Sequence, residues 1–145
     1  MSNLEWLGEA LAEVDYLGVL VATVVAMVWG AIWYLPSVAG DAWQKLSGLS
    51  KKQAENRKGM LEMFLGAFVF SLFGASLLQA LMIATSTGGF WNSALLGALI
   101  GMIFTAMPQA VLNLFARKDT QLSAIQGADA IVALALMGGV MSWFL

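Results

Sequence analysis

Cysteine and histidine are both absent from this chain of 145 residues. Without thiols there can be no disulfide, no thiolate nucleophile and no sulfur ligand for iron or zinc. Without imidazole the commonest general base, metal ligand and haem ligand are missing. Proline is rare, with only Pro36 and Pro108. Charge is scarce as well: 11% of side chains are Asp, Glu, Lys or Arg, against 60% hydrophobic. Positive charge is confined to two short stretches. Lys45, Lys51, Lys52, Arg57 and Lys58 lie between Pro36 and Gly59, and Arg117 and Lys118 follow Phe115. Every other segment lacks a basic residue.

What is present in quantity is apolar sequence. A mean hydropathy of +0.80 exceeds what a soluble core of this size can hide. Four long apolar runs place the chain in the membrane class, since roughly 20 residues of helix cross ~30 Å of hydrocarbon. The expected fold is all-α. It is a single four-helix transmembrane domain over residues 1–145, with spans at about 16–35, 60–85, 90–115 and 123–145.

Residues 3–14 carry acids and no base. Ser2 with Glu5 fits a capping box, and Leu4, Leu7, Leu11 and Val14 recur at helical spacing opposite Glu5, Glu9 and Glu13. This pattern predicts a short amphipathic interfacial helix. A positive start and a convincing cleavage site are both missing, so the first span is expected to be retained.

Pro36 ends that span. Residues 36–59 form a polar loop with five basic and two acidic side chains, net +3. Ser50 with Gln53 is a second capping box. Lys51/Glu55 and Lys58/Glu62 have the i,i+4 spacing of ion pairs, and a surface helix is expected to run through Gly59 into the second span. Ser86-Thr87-Gly88-Gly89 and Arg117-Lys118-Asp119-Thr120 are the remaining turns. With four spans, all seven basic residues fall on one side. The positive-inside rule then makes that side cytoplasmic and puts both termini outside, in a bacterial inner membrane. Tyr16, Trp91 and Trp143 would mark the outer interface, and Trp33, Tyr34 and Trp43 the inner one.

Lipid provides no hydrophobic drive between helices, so close packing relies on small residues. Gly18, Ala22, Ala26 and Gly30 recur every fourth position in the first span, and Ser93, Gly97, Gly101 and Thr105 do so in the third. Ala67, Ser71 and Ala75 in the second span and Ala135 and Gly139 in the fourth extend the pattern. These stripes fit packing within a four-helix bundle. A subunit interface using one stripe with exposed aromatics such as Trp29 or Phe70 remains open beside it.

From Trp29 the sequence reads WGAIWYLPSVAGDAWQKLSGLS. Gly30, Trp33, Tyr34, Pro36, Gly40, Trp43 and Gly48 in this stretch resemble the signature of an uncharacterised bacterial family of small four-helix membrane proteins, a domain-of-unknown-function family. Asn113 with Phe115, and Met137-Gly138 ahead of Trp143, are similar to that family's last two spans. Members often carry an aromatic or histidine near the position of Asp129, where this chain has the acid. The resemblance implies the four-span topology and no reaction.

Asp129 is the one acid well inside a span, and such a carboxylate is costly and suggests function by default. Gln109 and Asn113 are expected at similar depth across the hairpin, with Arg117 or Lys118 able to snorkel toward the acid. Two readings stay open: a buried cluster that fixes helix register, or a protonatable or cation-binding site in a transport path. Pro108 frees the Phe104 carbonyl, with Thr105 close by, and implies a kink. Glu62 pairs most simply with Lys58.

No catalytic constellation is evident, so the chain is expected not to be an enzyme and to need no cofactor or metal. The leading expectation is an accessory subunit or homo-oligomer that works through helix packing. Its partners would be membrane lipids and other membrane subunits or itself, and no nucleic acid. The alternative is a small ion- or solute-translocating protein using Asp129.

Overall fold

The computed structural model describes residues 4–145, which form helices joined by short turns, with no strand among the described residues. Helix α1 is Glu5–Ala12 and α2 is Tyr16–Trp33. A collar follows, made of a wide π-type turn at Pro36–Gly40 and the short helices α3, Asp41–Ser47, and α4, Lys51–Ala54. Helix α5, Arg57–Ala84, is the longest. The third long helix is α6, Phe90–Ile100, a π-helical stretch Gly101–Ala106, and α7, Met107–Phe115. Helix α8, Thr120–Met141, is followed by a single tight turn, Ser142–Phe144. Four of these stretches are long and apolar enough to cross a membrane: Tyr16–Trp33, Arg57–Ala84, Phe90–Phe115 and Thr120–Phe144.

Local chemistry explains most boundaries. Asp15 caps α2, its Oδ1 accepting from Gly18 N over 2.7 Å. The expected Ser50–Gln53 capping box is present, with both reciprocal bonds formed. The run from the collar into α5 is broken, contrary to expectation. Asn56 takes an extended conformation and its Oδ1 accepts from Lys58 N and Gly59 N, so it starts a new helix. Lys51 and Glu55 therefore straddle a helix end instead of pairing along one face. Ser2 of the other expected capping box lies outside the described residues, and α1 begins with Leu4 at its N-cap and no side-chain cap.

Both tight turns close by Schellman-type bonds. Thr87 N donates to Met82 O, and Lys118 N donates to Asn113 O, with Ser86 and Arg117 in the left-handed conformation that glycine usually fills.

Helix α8 is central, with α2 on one side and α6–α7 on the other, and α5 packs against α2. At the end away from the collar, all four long helices share one core. Val19, Ala22, Ala75, Leu78, Met82, Met137 and Met141 meet there, with Leu96 and Ile100 packed against them. Helix α1 belongs to this end. It docks on α5, with Ala10 and, just after the helix, Val14 buried, while Leu4 and Leu11 of the expected apolar line are exposed. At the collar end the bundle is open: no residue of α5 before Ala75 is buried.

The small-residue stripes are used unevenly. A Cβ on Gly97 would strike the Leu134 carbonyl, one on Gly101 would lie 2.8 Å from the Ala130 carbonyl, and one on Gly138 would strike the Ser93 carbonyl. Glycine here allows α6 and α8 to approach backbone to backbone. Thr105, expected to continue this stripe, is exposed. The π-helical stretch adds a residue to the turn, so the next residue on the seam is Ala106, whose Cβ lies 3.2 Å from a Cβ built on Gly127. The same widening sits one turn before Pro108, where a regular α-helix would press the proline ring on the Phe104 carbonyl. In α2, Gly18 and Ala22 are buried and Ala26 packs on the core, but Gly30 has nothing within 4 Å of a built Cβ. Ala67 is likewise exposed.

Candidate functional site

The end of α2 brings three large side chains to one corner. Trp29 and Trp33 are four residues apart, so they share a helix face, and their rings stack at 5.4 Å with 27° between planes. The Trp33 indole N–H donates to the backbone carbonyl of Ile125 in α8 over 3.2 Å. Asp129 lies one turn further along α8 from that carbonyl. Its carboxylate faces the Tyr34 hydroxyl and the Trp29 indole N–H. The Trp29 N–H is buried and closes no hydrogen bond of good geometry, so the carboxylate is the polar group left to it.

Pro36 and Gly40 set this corner. Leu35, before proline, is extended at φ −60°, ψ 142°, and the chain then folds back on itself. Val38 N and Gly40 N both donate to Leu35 O. A Cβ at Gly40 would collide with the Tyr34 carbonyl, so only glycine permits so tight a return. The return lays Trp43 edge-on against Tyr34, with ring centroids 5.5 Å apart at 70°. Lys118 Nζ then donates to Ser47 O over 3.3 Å, tying the α7–α8 turn to the collar.

A second polar cluster lies between α7 and α8. Gln109 Nε2 donates to Asn113 Oδ1 over 3.2 Å. The Asn113 amide nitrogen donates to Ser123 Oγ at 3.0 Å and to Gln126 Oε1 at 2.7 Å. Asn113 is buried, and each of its amide atoms has a partner.

The expected cluster of Asp129, Asn113 and Gln109 is thus divided. Gln109 and Asn113 come together, but with Ser123 and Gln126. Asp129 takes its neighbours from the end of the first span. Lys118, expected to reach toward the acid, bonds to the collar instead. Trp29, expected as an exposed aromatic, is half-buried in the corner. Trp33, Tyr34 and Trp43 are likewise engaged in contacts within the chain, whereas Tyr16, Trp91 and Trp143 at the opposite end are exposed. Sequence reasoning missed Ser123 and Gln126, although their i, i+3 spacing on the first turns of the fourth helix puts both on one face.

Chemically, the corner offers one carboxylate and two neutral donors, a set that can hold a proton or fix a helix contact. No group of three His, Cys, Asp or Glu residues that could hold a metal exists among the described residues.

A model of the family described as protein of unknown function (DUF1761) matches residues 17–142. The chain belongs to this family. No curated protein and no solved structure matches it. The DUF1761 match starts just inside α2 and ends at Ser142, so it contains all four long helices, the aromatic corner and the amide cluster. It leaves out α1. Membership in DUF1761 brings no reaction with it.

Proposed function

We propose that this chain is a non-enzymatic, multi-pass protein of the bacterial inner membrane that acts through helix packing, as an accessory subunit or a homo-oligomer. The observation that carries this reading is where the signature residues go. Trp33, Tyr34, Pro36, Gly40 and Trp43 do not line an open site; they fasten the end of α2 and the collar onto α8. The amide cluster does the same for α7 and α8. A chain whose polar groups mostly join its own helices is suited to presenting surfaces.

The orientation follows from the basic residues. The collar, the first turn of α5 and the α7–α8 turn hold all seven, which favours a cytoplasmic collar with α1 and the Ser86–Gly89 turn outside. The third long helix is the least buried of the four and offers Phe104, Leu112 and Phe115 outward as a surface for a partner helix. Asp129 has Tyr34 and Trp29 as its polar neighbours, and on this reading the chain needs no catalytic centre, cofactor or metal. Gentle extraction followed by native mass measurement tests the proposal. An assembly of two or more copies, or a stoichiometric co-purifying subunit, is expected; a strictly monomeric species with neither would sink it.

One observation favours a second reading. A buried indole N–H and a tyrosine hydroxyl both face Asp129, an arrangement that suits a protonatable or cation-binding group in a small translocation path. This reading expects flux across reconstituted vesicles that Asp129→Asn abolishes. Flux that is absent, or unchanged in the variant, removes it.

A further inference from the structure

The first half of α5 is far less covered than its second half. Its residues from Arg57 to Gly74 include no buried side chain; Leu72 packs on the edge of the core, and full burial begins at Ala75. Leu61, Phe70 and Phe73 are 60%, 77% and 67% exposed. A Cβ built on Gly66 or Gly74 would meet nothing within 4 Å. A long apolar helix half therefore stands off the bundle on the collar side.

At the foot of that half stand four cations. Lys51 and Lys52 lie on α4, Arg57 and Lys58 on the first turn of α5, and all are exposed. The backbone donors of this turn are already used, since Asn56 caps Lys58 N and Gly59 N. The four side chains have no carboxylate partner among the described residues. Lys118 behaves differently and is turned onto the Ser47 carbonyl. The positive-inside rule asks only that cations be on one side. It does not ask that four of them gather beneath a helix half that has no buried side chain.

We propose that this half of α5 and its basic foot seat an anionic phospholipid, the phosphate against Lys51, Lys52, Arg57 and Lys58 and the acyl chains along Leu61, Leu65 and Val69, which share one exposed helix face. The proposal rests on the membrane reading of the four apolar helices. The dimensions agree: one leaflet is about 15 Å deep, about ten residues of helix, which is the distance from Met60 to Phe70. Charge selects the occupant. A second copy paired through α5 about a two-fold axis along the membrane normal would set the two basic feet against each other, with only Glu55 and Glu62 on each copy to offset four cations. An anionic headgroup neutralises the same feature. A zwitterionic lipid fills the apolar face but gains nothing at the foot.

Native mass spectrometry of the full chain in mild detergent tests this, with phosphatidylglycerol and phosphatidylcholine of identical acyl chains added in equal amounts. Wild type should retain phosphatidylglycerol at least about fivefold more, the preference that one basic residue near a surface supplies. Its melting temperature should rise with phosphatidylglycerol and not with phosphatidylcholine. Replacing the four cations together (Lys51→Gln, Lys52→Gln, Arg57→Gln, Lys58→Gln) should erase the preference, while Lys45→Gln with Lys118→Gln should keep it. Equal retention of both lipids by wild type overturns the proposal without any variant. So does a disulfide-linked dimer formed by Leu65→Cys in phosphatidylglycerol bilayers, which would assign the face to a second copy. The same spectra report subunit number separately, and a chain soluble without detergent would fail at the membrane reading itself.

Discussion

The Trp33 indole N–H reaches 3.2 Å across to the backbone carbonyl of Ile125, joining the last turn of α2 to the second turn of α8. That carbonyl stands one turn before Asp129 and, by α-helical geometry, also accepts the Asp129 N–H, so the indole adds to an existing bond. Loss of the N–H with the ring kept should therefore cost about 0.5–2 kcal/mol, the range of interhelical hydrogen bonds in apolar surroundings. Trp33→Phe is expected to lower thermal stability in detergent by that amount. Trp33→Ala, which also removes the stack on Trp29, is expected to cost more, about 3–5 kcal/mol. Equal effects for the two variants would show that the hydrogen bond, and not the ring, carries the contact.

Gly97 and Gly66 are both glycines in long apolar helices, and they should respond in opposite ways. A Cβ at Gly97 strikes the Leu134 carbonyl, a backbone atom that can yield only if α8 shifts. Gly97→Ala is expected to destabilise by about 1–3 kcal/mol through overpacking. Gly66 has open space around it, so Gly66→Ala should be neutral or mildly stabilising, since alanine is the better helix former by about 1 kcal/mol. Melting curves of the two variants in one detergent decide the point. A neutral Gly97→Ala would mean that the helices are not in backbone contact.

The helices themselves were legible because ~30 Å of hydrocarbon imposes a length that apolar runs record directly. Pro36 and the Ser50–Gln53 box also showed where elements begin and end, since each acts through its own neighbours. What was hidden depends on register or on distant partners. Thr105 has the right spacing for the Ser93–Gly97–Gly101 stripe only if the helix stays α-helical, and no residue in GMIFTA announces a wider turn. Asp129 stood out by its charge, yet its neighbours come from residues almost a hundred positions earlier, so depth along α7 pointed to Asn113 and Gln109 instead. Asn56 does not stand out as a cap, because the charged residues around it fit a continuous surface helix equally well.

That wider turn makes its own prediction. Between Gly101 and Gly127 the seam passes to Ala106, half-buried against α8, while Thr105 faces away. Ala106→Leu would drive three extra carbons against the glycine surface of α8, where even a Cβ on Gly127 would come within 3.2 Å of Ala106, and is expected to cost about 1–3 kcal/mol. Thr105→Leu should be tolerated. Thermal denaturation of both variants distinguishes this register from an unbroken α-helix, which predicts the reverse order.

Gln79 is fully buried in the second half of α5, where its Nε2 makes one long bond of 3.5 Å to the Phe144 carbonyl. Its Oε1 has no hydrogen-bond partner among the described residues. A buried amide oxygen left unsatisfied costs about 1–3 kcal/mol, and in apolar surroundings no bulk water relieves it. Methionine matches the length and flexibility of glutamine without the amide. Gln79→Met is therefore expected to raise stability by about 1 kcal/mol, seen as a higher melting temperature in detergent with the helical signal unchanged. A loss of stability of similar size would instead show that Oε1 has a partner, such as a buried water, and that the amide holds α5 to the end of α8. Gln79→Leu separates these outcomes from packing alone: its branched chain fills the site differently, so a gain shared by both variants traces to removal of the amide.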